Sequence, residues 1–460
     1  MVFICEGCYQ KQLKINELEE EVISLKSKLR YQERTAKEGL FKSSTPSSKK
    51  PIKSNSSPEN CWKKGGAKVG HKGNGRKSLS SQQADREAYL DVGETCPDCG
   101  NPLERIGCKD RSVIDYIRGE SEKILYKLQM RKCSHCSRVY TAKPKGVFAN
   151  NAFGNGLLSH IAIEHYLNGR TLGQLESHLG IGYGSLVKSM HTLAERLKDV
   201  PERLKEEYRR SPVKHADETS WRNDGQNGYA WGFFTDMISL FRLRKTRSAK
   251  VPAEVFGEKS LPGVLIVDRY NGYNKVPCAI QYCYAHLLRN LKDIEKDFPD
   301  NAEIKSFVQS LAPLFANAMS LRGLNLKPKA FKRQASLLKQ KILKIVHSEA
   351  RHPAVQTFQS IFREHEDRMY HWADDPKIPA ENNLAERQLR PLVIARKISF
   401  GSQSDRGART REILMTVLNT LKKRCCEISE VYDRFKSVLD SLADDSGQDA
   451  YRLLFEPDTS

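Results

Sequence analysis

Hydrophobic positions near the N-terminus repeat with helical spacing. Five apolar residues between positions 15 and 29 follow one another at steps of three and four, with Glu and Lys between them: Ile15, Leu18, Val22, Leu25 and Leu29. This is the a/d spacing of a coiled coil, and it predicts a helix over residues 9–39. Such a helix could pair with a second chain, or it could pack alone on its own domain.

Residues 40–90 lose this apolar pattern. The segment contains FKSSTPSSKKPIKSNSSPEN and KKGGAKVGHKGNGRKSLSS, which are rich in Ser, Pro, Gly and Lys. Such a segment cannot bury enough apolar surface to fold, so we predict a basic flexible linker. Its cationic side chains could neutralise DNA phosphates without reading sequence, or they could simply keep a tether solvated.

Helical periodicity returns in residues 150–205. Leu172, Leu175 and Leu179 share one face, and the glycine-rich stretch GIGYG at residues 180–184 interrupts the pattern. Ser185 is the expected N-cap of the next helix, before Leu186. Helix, short turn and helix form the outline of a DNA-binding helix-turn-helix, although an ordinary helical hairpin gives the same pattern.

Three short segments after Pro212 have the β-branched and aromatic composition of strands. They are VKHADETSW, GYAWGFFTD and ISLFRLRKT, separated by turn residues such as the Asn-Asp-Gly at residues 223–225. We therefore predict an antiparallel three-strand meander. A helical stretch around residues 249–256 follows, and the apolar run GVLIVD then predicts a buried strand beside the first.

Acidic residues occur in two of these predicted strands. Asp217 lies inside the first strand, and Asp268 ends the apolar run. An acid in such a position is costly unless it faces a cation or a donor, and two converging acids suit Mg²⁺ or Mn²⁺. Because a single Asp at a strand end is commonly only a turn residue, a third acid is needed. Spacing alone does not choose Glu386 over Glu381.

Composition and charge narrow the class of protein. The chain has 460 residues, with 76 Lys and Arg against 56 Asp and Glu, which gives a formal charge of +20. An excess of this size favours nucleic acid as a partner, and the length allows about three domains. Neither a membrane-spanning apolar run nor a secretory signal is recognisable, so we predict a soluble cytoplasmic protein with no membrane partner.

Cysteine spacing adds a metal site. Two CxxC pairs, Cys96 with Cys99 and Cys133 with Cys136, match a zinc ribbon, in which four thiolates complete a tetrahedral structural Zn²⁺ site. We therefore predict a zinc-ribbon domain over residues 91–145, against the alternative of four unrelated buried thiols. Four other cysteines are expected to be structural: Cys5, Cys8, Cys61 and Cys108.

Several motifs together resemble the transposases of the insertion sequence 66 family, which are DDE-type enzymes. The motifs are SSTPSSKK, GHKGNGRK, CPDCG, HADETSW, VDRYNGY, CYAHLLRN and NNLAERQLRP. The resemblance implies an α/β fold with an RNase H-like catalytic core over residues 210–420, and a helical insertion at about 299–379. The coiled-coil helix, zinc ribbon and helix-turn-helix-like region would precede it, and a helical tail, 421–460, would follow.

The same resemblance implies the chemistry. Asp217, Asp268 and Glu386 would form a catalytic triad of carboxylates that holds two Mg²⁺ or Mn²⁺ ions, with Asp217 as the bridge. His286 is expected near the scissile phosphate, and Cys283 is expected to pack. Three arginines are expected to bind DNA phosphates because a guanidinium contacts two oxygens at once: Arg289, Arg387 and Arg390.

The expected partners follow from this assignment. They are the DNA ends of the mobile element, target DNA, a second copy of the chain in at least a dimer, and accessory proteins of the same element, in a nucleoid-associated setting. The basic insertion would touch DNA or form a solvated helical face. Glu381 and Tyr284 differ conservatively from the family pattern, and the tail after Asn419 fits it less well.

We therefore predict a transposase that cleaves and joins DNA strands. Two alternatives stay open: a nuclease that cuts without joining, and a non-catalytic zinc-ribbon DNA-binding protein descended from a transposase.

Overall fold

The computed structural model describes residues 78–117 and 119–456, together with residues 10–11, 14–19, 21–22 and 25–26. The described N-terminal residues are helical, and Ile15, Leu18, Val22 and Leu25 are exposed. The rest of the predicted coiled coil, the linker up to residue 77, and Cys5, Cys8 and Cys61 lie outside the described residues. Within the described part, no helix is both long enough and apolar enough to cross a membrane.

A first sheet surrounds the two CxxC pairs. Its strands are β1 Arg86–Leu90, β2 Leu103–Ile117, β3 Glu120–Cys133 and β4 Val139–Thr141. β2 and β3 form a long antiparallel hairpin, β4 pairs antiparallel with β3, and β1 pairs parallel with β3. The linker predicted over residues 40–90 therefore extends too far, because its last five residues form β1. Its last residues pair with a strand more than thirty positions further on, which local composition does not reveal.

Four helices follow the first sheet. They are α1 Asn155–Tyr166, α2 Leu172–Leu179, α3 Tyr183–Arg196 and α4 Val200–Arg210. The predicted N-cap at Ser185 is wrong, because α3 begins two residues earlier, with Gly182 as its N-cap. The backbone N–H of Tyr183 donates to Oε1 of Glu176 at 2.8 Å, so a side chain of α2 satisfies the first turn of α3.

A second, five-stranded sheet forms the centre of the chain. Its strands are β5 Val213–Asn223, β6 Gln226–Phe234, β7 Ser239–Arg244, β8 Val264–Val267 and β9 Ala279–Tyr282, with α5 Lys250–Phe256 between β7 and β8. The strand order is β7-β6-β5-β8-β9. β5, β6 and β7 form the predicted antiparallel meander, and β8 lies parallel beside β5, as the apolar run predicted.

Helices make up most of the remaining chain. They are α6 Tyr284–Asp297, α7 Ala302–Leu321, α8 Pro328–Val346, α9 Pro353–Glu364, α10 His371–Asp374, α11 Asn383–Ser399, α12 Asp405–Arg424, α13 Ile428–Asp444 and α14 Ala450–Phe455. α7 to α10 fall within residues 299–379, and they pack around buried aromatic rings that include Phe315, Phe358 and Phe362. α11 crosses the central sheet over β5 and β6.

α12 completes the outer edge of the central sheet. The hydroxyls of Thr416 and Thr420 accept the backbone N–H groups of Phe241 and Ser239 in β7, each at 3.1 Å. The predicted start of a separate tail at residue 421 is therefore wrong, because it falls inside this helix. The cationic run KKR at residues 422–424 forms the last turn of α12, where cations are favourable.

Candidate active site and metal centre

The central sheet places Asp217 and Asp268 at equivalent positions of neighbouring strands. In the parallel pair β5–β8, His215 lies opposite Ile266. Asp217 follows His215 by two residues, and Asp268 follows Ile266 by two. Because adjacent strands lie about 4.8 Å apart, the two acids share one end of this strand pair. Oδ1 of Asp268 accepts the backbone N–H of Tyr270 at 2.9 Å, which holds the turn after β8.

Asn382 attaches the helix that carries Glu386 to the strand that carries Asp217. Its side chain is buried, and Nδ2 donates to the backbone oxygen of Ala216 at 2.8 Å. Oδ1 lies 2.8 Å from Nδ1 of His215, and burial lowers the pKa of that imidazole to about 4. Since Oδ1 can only accept, Nδ1 of His215 carries the proton. Glu386 follows one helical turn later, in the first turn of α11.

The start of α6 is held in the same place. The backbone N–H of Cys283 donates to the oxygen of Val267 at 2.9 Å, next to Asp268. Sγ of the buried Cys283 accepts the N–H of Asn382 at 3.1 Å, in keeping with the packing role expected for this thiol. One set of backbone contacts therefore joins β5, β8, α6 and α11.

His286 and Glu386 face one another across the two helices. Nε2 of His286 lies 3.8 Å from Oε1 of Glu386. Nδ1 of His286 is buried and has no hydrogen-bond partner among the described residues. This arrangement places the imidazole of His286 beside Glu386, with Nε2 on the side of the carboxylate.

Electrostatics set Asp217 apart from an ordinary surface acid. Burial, together with the nearby charges of Glu218, Asp268 and Glu386, raises the pKa of Asp217 to about 8. No ion pair to Asp217 or Asp268 is formed by any residue that the structure describes. The group is therefore a cluster of acids that lacks a balancing cation, which is the condition under which buried carboxylates bind one.

The sequence prediction missed Glu218, which lies beside Asp217. Its side chain is only 2% exposed, and Nη2 of Arg247 lies 2.6 Å from Oε1. The Tyr273 hydroxyl donates to Oε2, also at 2.6 Å. The period-two alternation of a strand puts Glu218 and Asp217 on opposite faces of β5. That alternation was the available signal, because it puts the two neighbouring acids in different surroundings. Arg247 pairs with Glu218, and no described residue forms an ion pair with Asp217.

The predicted phosphate-binding arginines lie on α6 and α11, the helices that carry His286 and Glu386. Arg289, Arg387 and Arg390 are exposed and make no ion pair with another described residue. Arg289 follows His286 by three positions on α6, and Arg390 follows Glu386 by four on α11, so each shares a helix face with the site residue before it. The cations therefore point to the same side as the site.

The two CxxC pairs form a second cluster. Sγ of Cys96 lies 3.7 Å from Sγ of Cys136, and Sγ of Cys99 lies 3.5 Å from Sγ of Cys133. All four sulfurs fall within 4.8 Å of one another. Four sulfurs around one tetrahedral zinc, at Zn–S distances of about 2.3 Å, would be about 3.8 Å apart, so the cluster fits a zinc ribbon.

A neighbouring hydroxyl favours the thiolate form of one of these cysteines. The Tyr140 hydroxyl lies 3.2 Å from Sγ of Cys96, and this hydrogen bond lowers the pKa of the thiol to about 6. Cys108 is exposed on β2 and does not belong to the cluster. Among the described residues, the four cysteines are the only group that brings three or more such ligand atoms within 4.8 Å; the carboxylates of the central site are spread more widely.

The chain is thus a mixed α/β protein with a four-cysteine cluster and a separate group of half-buried acids around the end of the β5–β8 strand pair. The sequence comparison identifies the family. The family described as "Transposase IS66 family" matches residues 150–410, which is more than half of the chain. The chain belongs to the IS66 family of transposases.

Two curated relatives come from Sinorhizobium fredii (strain NBRC 101917 / NGR234). "Uncharacterized protein y4jD" is 24% identical over 185 residues, which is 35% of this chain and 35% of the relative. "Uncharacterized protein y4qI" is 24% identical over 306 residues, which is 58% of this chain and 56% of the relative. The matched region thus spans about a third of one relative and just over half of the other.

Proposed function

We propose that this protein is a DNA transposase that cleaves and joins DNA strands at the ends of a mobile element. The observation that supports the proposal is that the charges of Asp268 and Glu386 both act on the carboxyl group of Asp217. Two of these acids occupy equivalent positions of the parallel strands β5 and β8, and Asn382 ties the helix of the third to β5. Family membership supplies the class of reaction.

We assign an RNase H-like core to residues 210–420. Three antiparallel strands followed by two parallel strands, with a late helix across the sheet, support this assignment. Helices α7 to α10 would be an insertion between the second and third acids. A fold alone does not determine an activity, so the proposal depends on the acids and not on the sheet.

Mg²⁺ or Mn²⁺ fits the donor set of Asp217, Asp268 and Glu386. All the donors are carboxylate oxygens, which these hard cations prefer, and the cluster contains no cation of its own. Two ions about 3.5–4 Å apart need ligands spread over more than one coordination sphere, in agreement with acids that do not all lie within 4.8 Å. When bound, such ions would polarise the reacting phosphodiester and lower the pKa of an attacking hydroxyl group.

The other side chains of the site would position the DNA. Arg289, Arg387 and Arg390 would contact phosphates, since all three are exposed. Arg289 and Arg390 each share a helix face with a site residue. His286, whose Nε2 lies 3.8 Å from Glu386, would donate to a phosphate oxygen through that nitrogen. Arg247, held by Glu218, would fix the turn that carries Tyr270, because its guanidinium stacks 4.0 Å from that ring.

The N-terminal half would bind the ends of the element. A zinc ribbon at residues 91–145 and the α2–turn–α3 unit would contact DNA, and a coiled coil at residues 9–39 would pair two chains. The helical insertion would also contact DNA. Its residues 304–348 contain nine Lys and Arg and no Asp or Glu, a charge that favours binding to phosphates. Accessory proteins of the element would complete the active complex.

A strand-transfer assay tests the proposal. Full-length protein would be incubated with Mg²⁺ or Mn²⁺ and a DNA duplex taken from the region flanking its own gene, with Asp268→Asn as the matched inactive variant. We expect joined products from the wild type and none from the variant. Cleavage without joining would indicate a nuclease. Binding without either reaction, even with accessory proteins of the element present, would indicate a non-catalytic DNA-binding protein.

A further inference from the structure

A cleft at the opposite end of α11 from Glu386 has the chemistry of a second ligand site. It lies between α1, α2 and α3 on one side and the end of α11 and the start of α12 on the other, with a volume of about 460 Å³. This volume lies within the range of small-molecule sites. None of its lining residues is Asp or Glu, so the cleft selects against cations.

Arg411 lies at the base of this cleft. Its guanidinium stacks between the rings of Tyr166 and Trp221, each 5.3 Å away, and the residue is only 9% exposed. No carboxylate among the described residues forms an ion pair with it. A buried cation without an acid is costly, and an anionic ligand would offset that cost.

His165 keeps the guanidinium directed into the cleft. Nδ1 of His165 lies 2.7 Å from the backbone oxygen of Arg170, so this nitrogen carries the proton. Nε2 then accepts from Nη2 of Arg411, at 3.1 Å. Burial lowers the pKa of His165 to about 4, so the imidazole is neutral. It accepts a hydrogen bond from Arg411 but does not balance its positive charge.

The rest of the lining suits a ligand that is planar and partly apolar as well as anionic. Tyr183 is 51% exposed and Ile398 is 50% exposed at the rim, while Val187 and Met190 form an apolar wall. Ser404, the N-cap of α12, adds a hydroxyl and lies next to the N–H groups of the first turn of that helix. A phosphate group with an aromatic base attached matches this combination.

We propose that the cleft binds a nucleoside monophosphate unit, with its phosphate on Arg411 and its base against Tyr183. The assignment rests on the proposed function in one respect, because the source we favour is an unpaired nucleotide of the element's DNA. α11 runs from Glu386 to Ala395 at the edge of the cleft, a distance of about 14 Å at 1.5 Å per residue. At about 3.4 Å per nucleotide of one strand, the bound nucleotide would lie about four positions from the reacting phosphate.

Binding measurements with a catalytically inactive protein test the cleft separately from the chemistry. The full-length Asp268→Asn protein, without added Mg²⁺, would be titrated with dAMP, with a blunt duplex, and with the same duplex carrying a five-nucleotide single-stranded overhang. Tyr183→Ala removes the exposed ring, and Tyr89→Ala, at a tyrosine 75% exposed in the first sheet, is its matched control. Arg411→Lys keeps the charge but removes the planar pair of donors.

We expect dAMP to bind, and the overhang duplex to bind more tightly than the blunt one. Tyr183→Ala should weaken the binding of dAMP and of the overhang duplex about tenfold, because stacking of one base contributes about that much. Arg411→Lys should weaken dAMP in the same way, and Tyr89→Ala should not. Binding of dAMP that depends on Tyr183, without any preference for the overhang, would support the nucleotide site and assign it to a free nucleotide. No dAMP binding, or equal binding by the Tyr183→Ala protein, would overturn the proposal whether or not strand transfer occurs.

Discussion

The cysteine cluster of the first sheet and the carboxylate cluster of the central sheet are both suited to metal ions, but they are built differently. The four sulfurs lie within 4.8 Å of one another, on a turn before β2 and a turn between β3 and β4. The acids come from β5, from the end of β8 and from α11, which are far apart in sequence, and they do not all lie within that distance. One site is compact and local, and the other is open and assembled by the tertiary fold.

The difference follows from what each site has to do. A structural zinc site is complete with four protein ligands, so nothing else need approach. The catalytic site proposed for the central sheet would have to leave positions open for DNA, and its acids do lie apart without a balancing cation, as the raised pKa of Asp217 indicates. Loss of a ligand should therefore cost stability in the first site and reaction rate in the second.

The largest expected effect is that of Asp217→Asn. We expect strand cleavage to fall by ~10³-fold or more, because several kcal/mol of charge stabilisation depend on the metal ligands. DNA binding should stay within several-fold of wild type. Glu218→Gln should lower the rate only about tenfold, since it weakens hydrogen bonds to Arg247 and Tyr273. Rates measured on one duplex compare the two neighbouring acids; equal losses would contradict their separate roles.

Cys96→Ser should show the opposite profile. We expect zinc content to fall from about one per chain to near zero. Because zinc binding and folding are coupled, the first sheet should become sensitive to protease, and DNA binding should weaken by about tenfold or more. Zinc analysis and limited proteolysis measure this. Cys108→Ser is the control, since this exposed cysteine lies outside the cluster. Full DNA binding by a zinc-free variant would contradict the assignment.

A smaller effect is expected from Asn382→Ala, which removes the link between β5 and α11. Loss of its hydrogen bonds should destabilise the protein by about 1–3 kcal/mol and lower the cleavage rate by about 10–100-fold. The Mg²⁺ concentration for half-maximal rate should rise, which a purely structural defect would not cause. Asn383→Ala, at the exposed neighbouring residue, should change neither quantity.

The smallest effect is expected from Arg390→Ala, at the rim of the open site. We expect a few-fold loss of DNA affinity, nearly independent of sequence, and a decrease of about one in the slope of log affinity against log salt. Binding titrations at several salt concentrations measure both. Arg452→Ala, in the distant helix α14, is the control. An unchanged salt slope would remove Arg390 from the phosphate contacts.

Local patterns predicted much of this arrangement. The turn at residues 223–225 and the apolar run before Asp268 gave the order of β5 to β8, and the two CxxC pairs gave the cysteine cluster. Each of these features is encoded within a few residues or in a fixed spacing. The third acid needed more, because spacing alone left Glu381 and Glu386 equivalent, and only the family motif chose between them.

Features that depend on distant pairing were missed. β1 pairs in parallel with a strand far along the chain. Residues 421–424 belong to α12, and Lys423 donates to the backbone oxygens of Thr235 and Ile238. Glu218 and Asn382 gain their roles from partners remote in sequence, Arg247 and Ala216. Tertiary contacts of this kind leave no periodic signal.

One titration tests the central contrast most directly. Full-length protein bound to its end duplex would be titrated with Mn²⁺ and followed by electron paramagnetic resonance, with zinc measured in the same samples. The variants are Asp217→Asn and Asp297→Asn, the latter at an exposed acid near the end of α6. We predict two Mn²⁺ per chain in the wild type and in Asp297→Asn, a loss of Mn²⁺ in Asp217→Asn, and one zinc per chain in all three. An Asp217→Asn protein that binds Mn²⁺ as the wild type does would contradict the account.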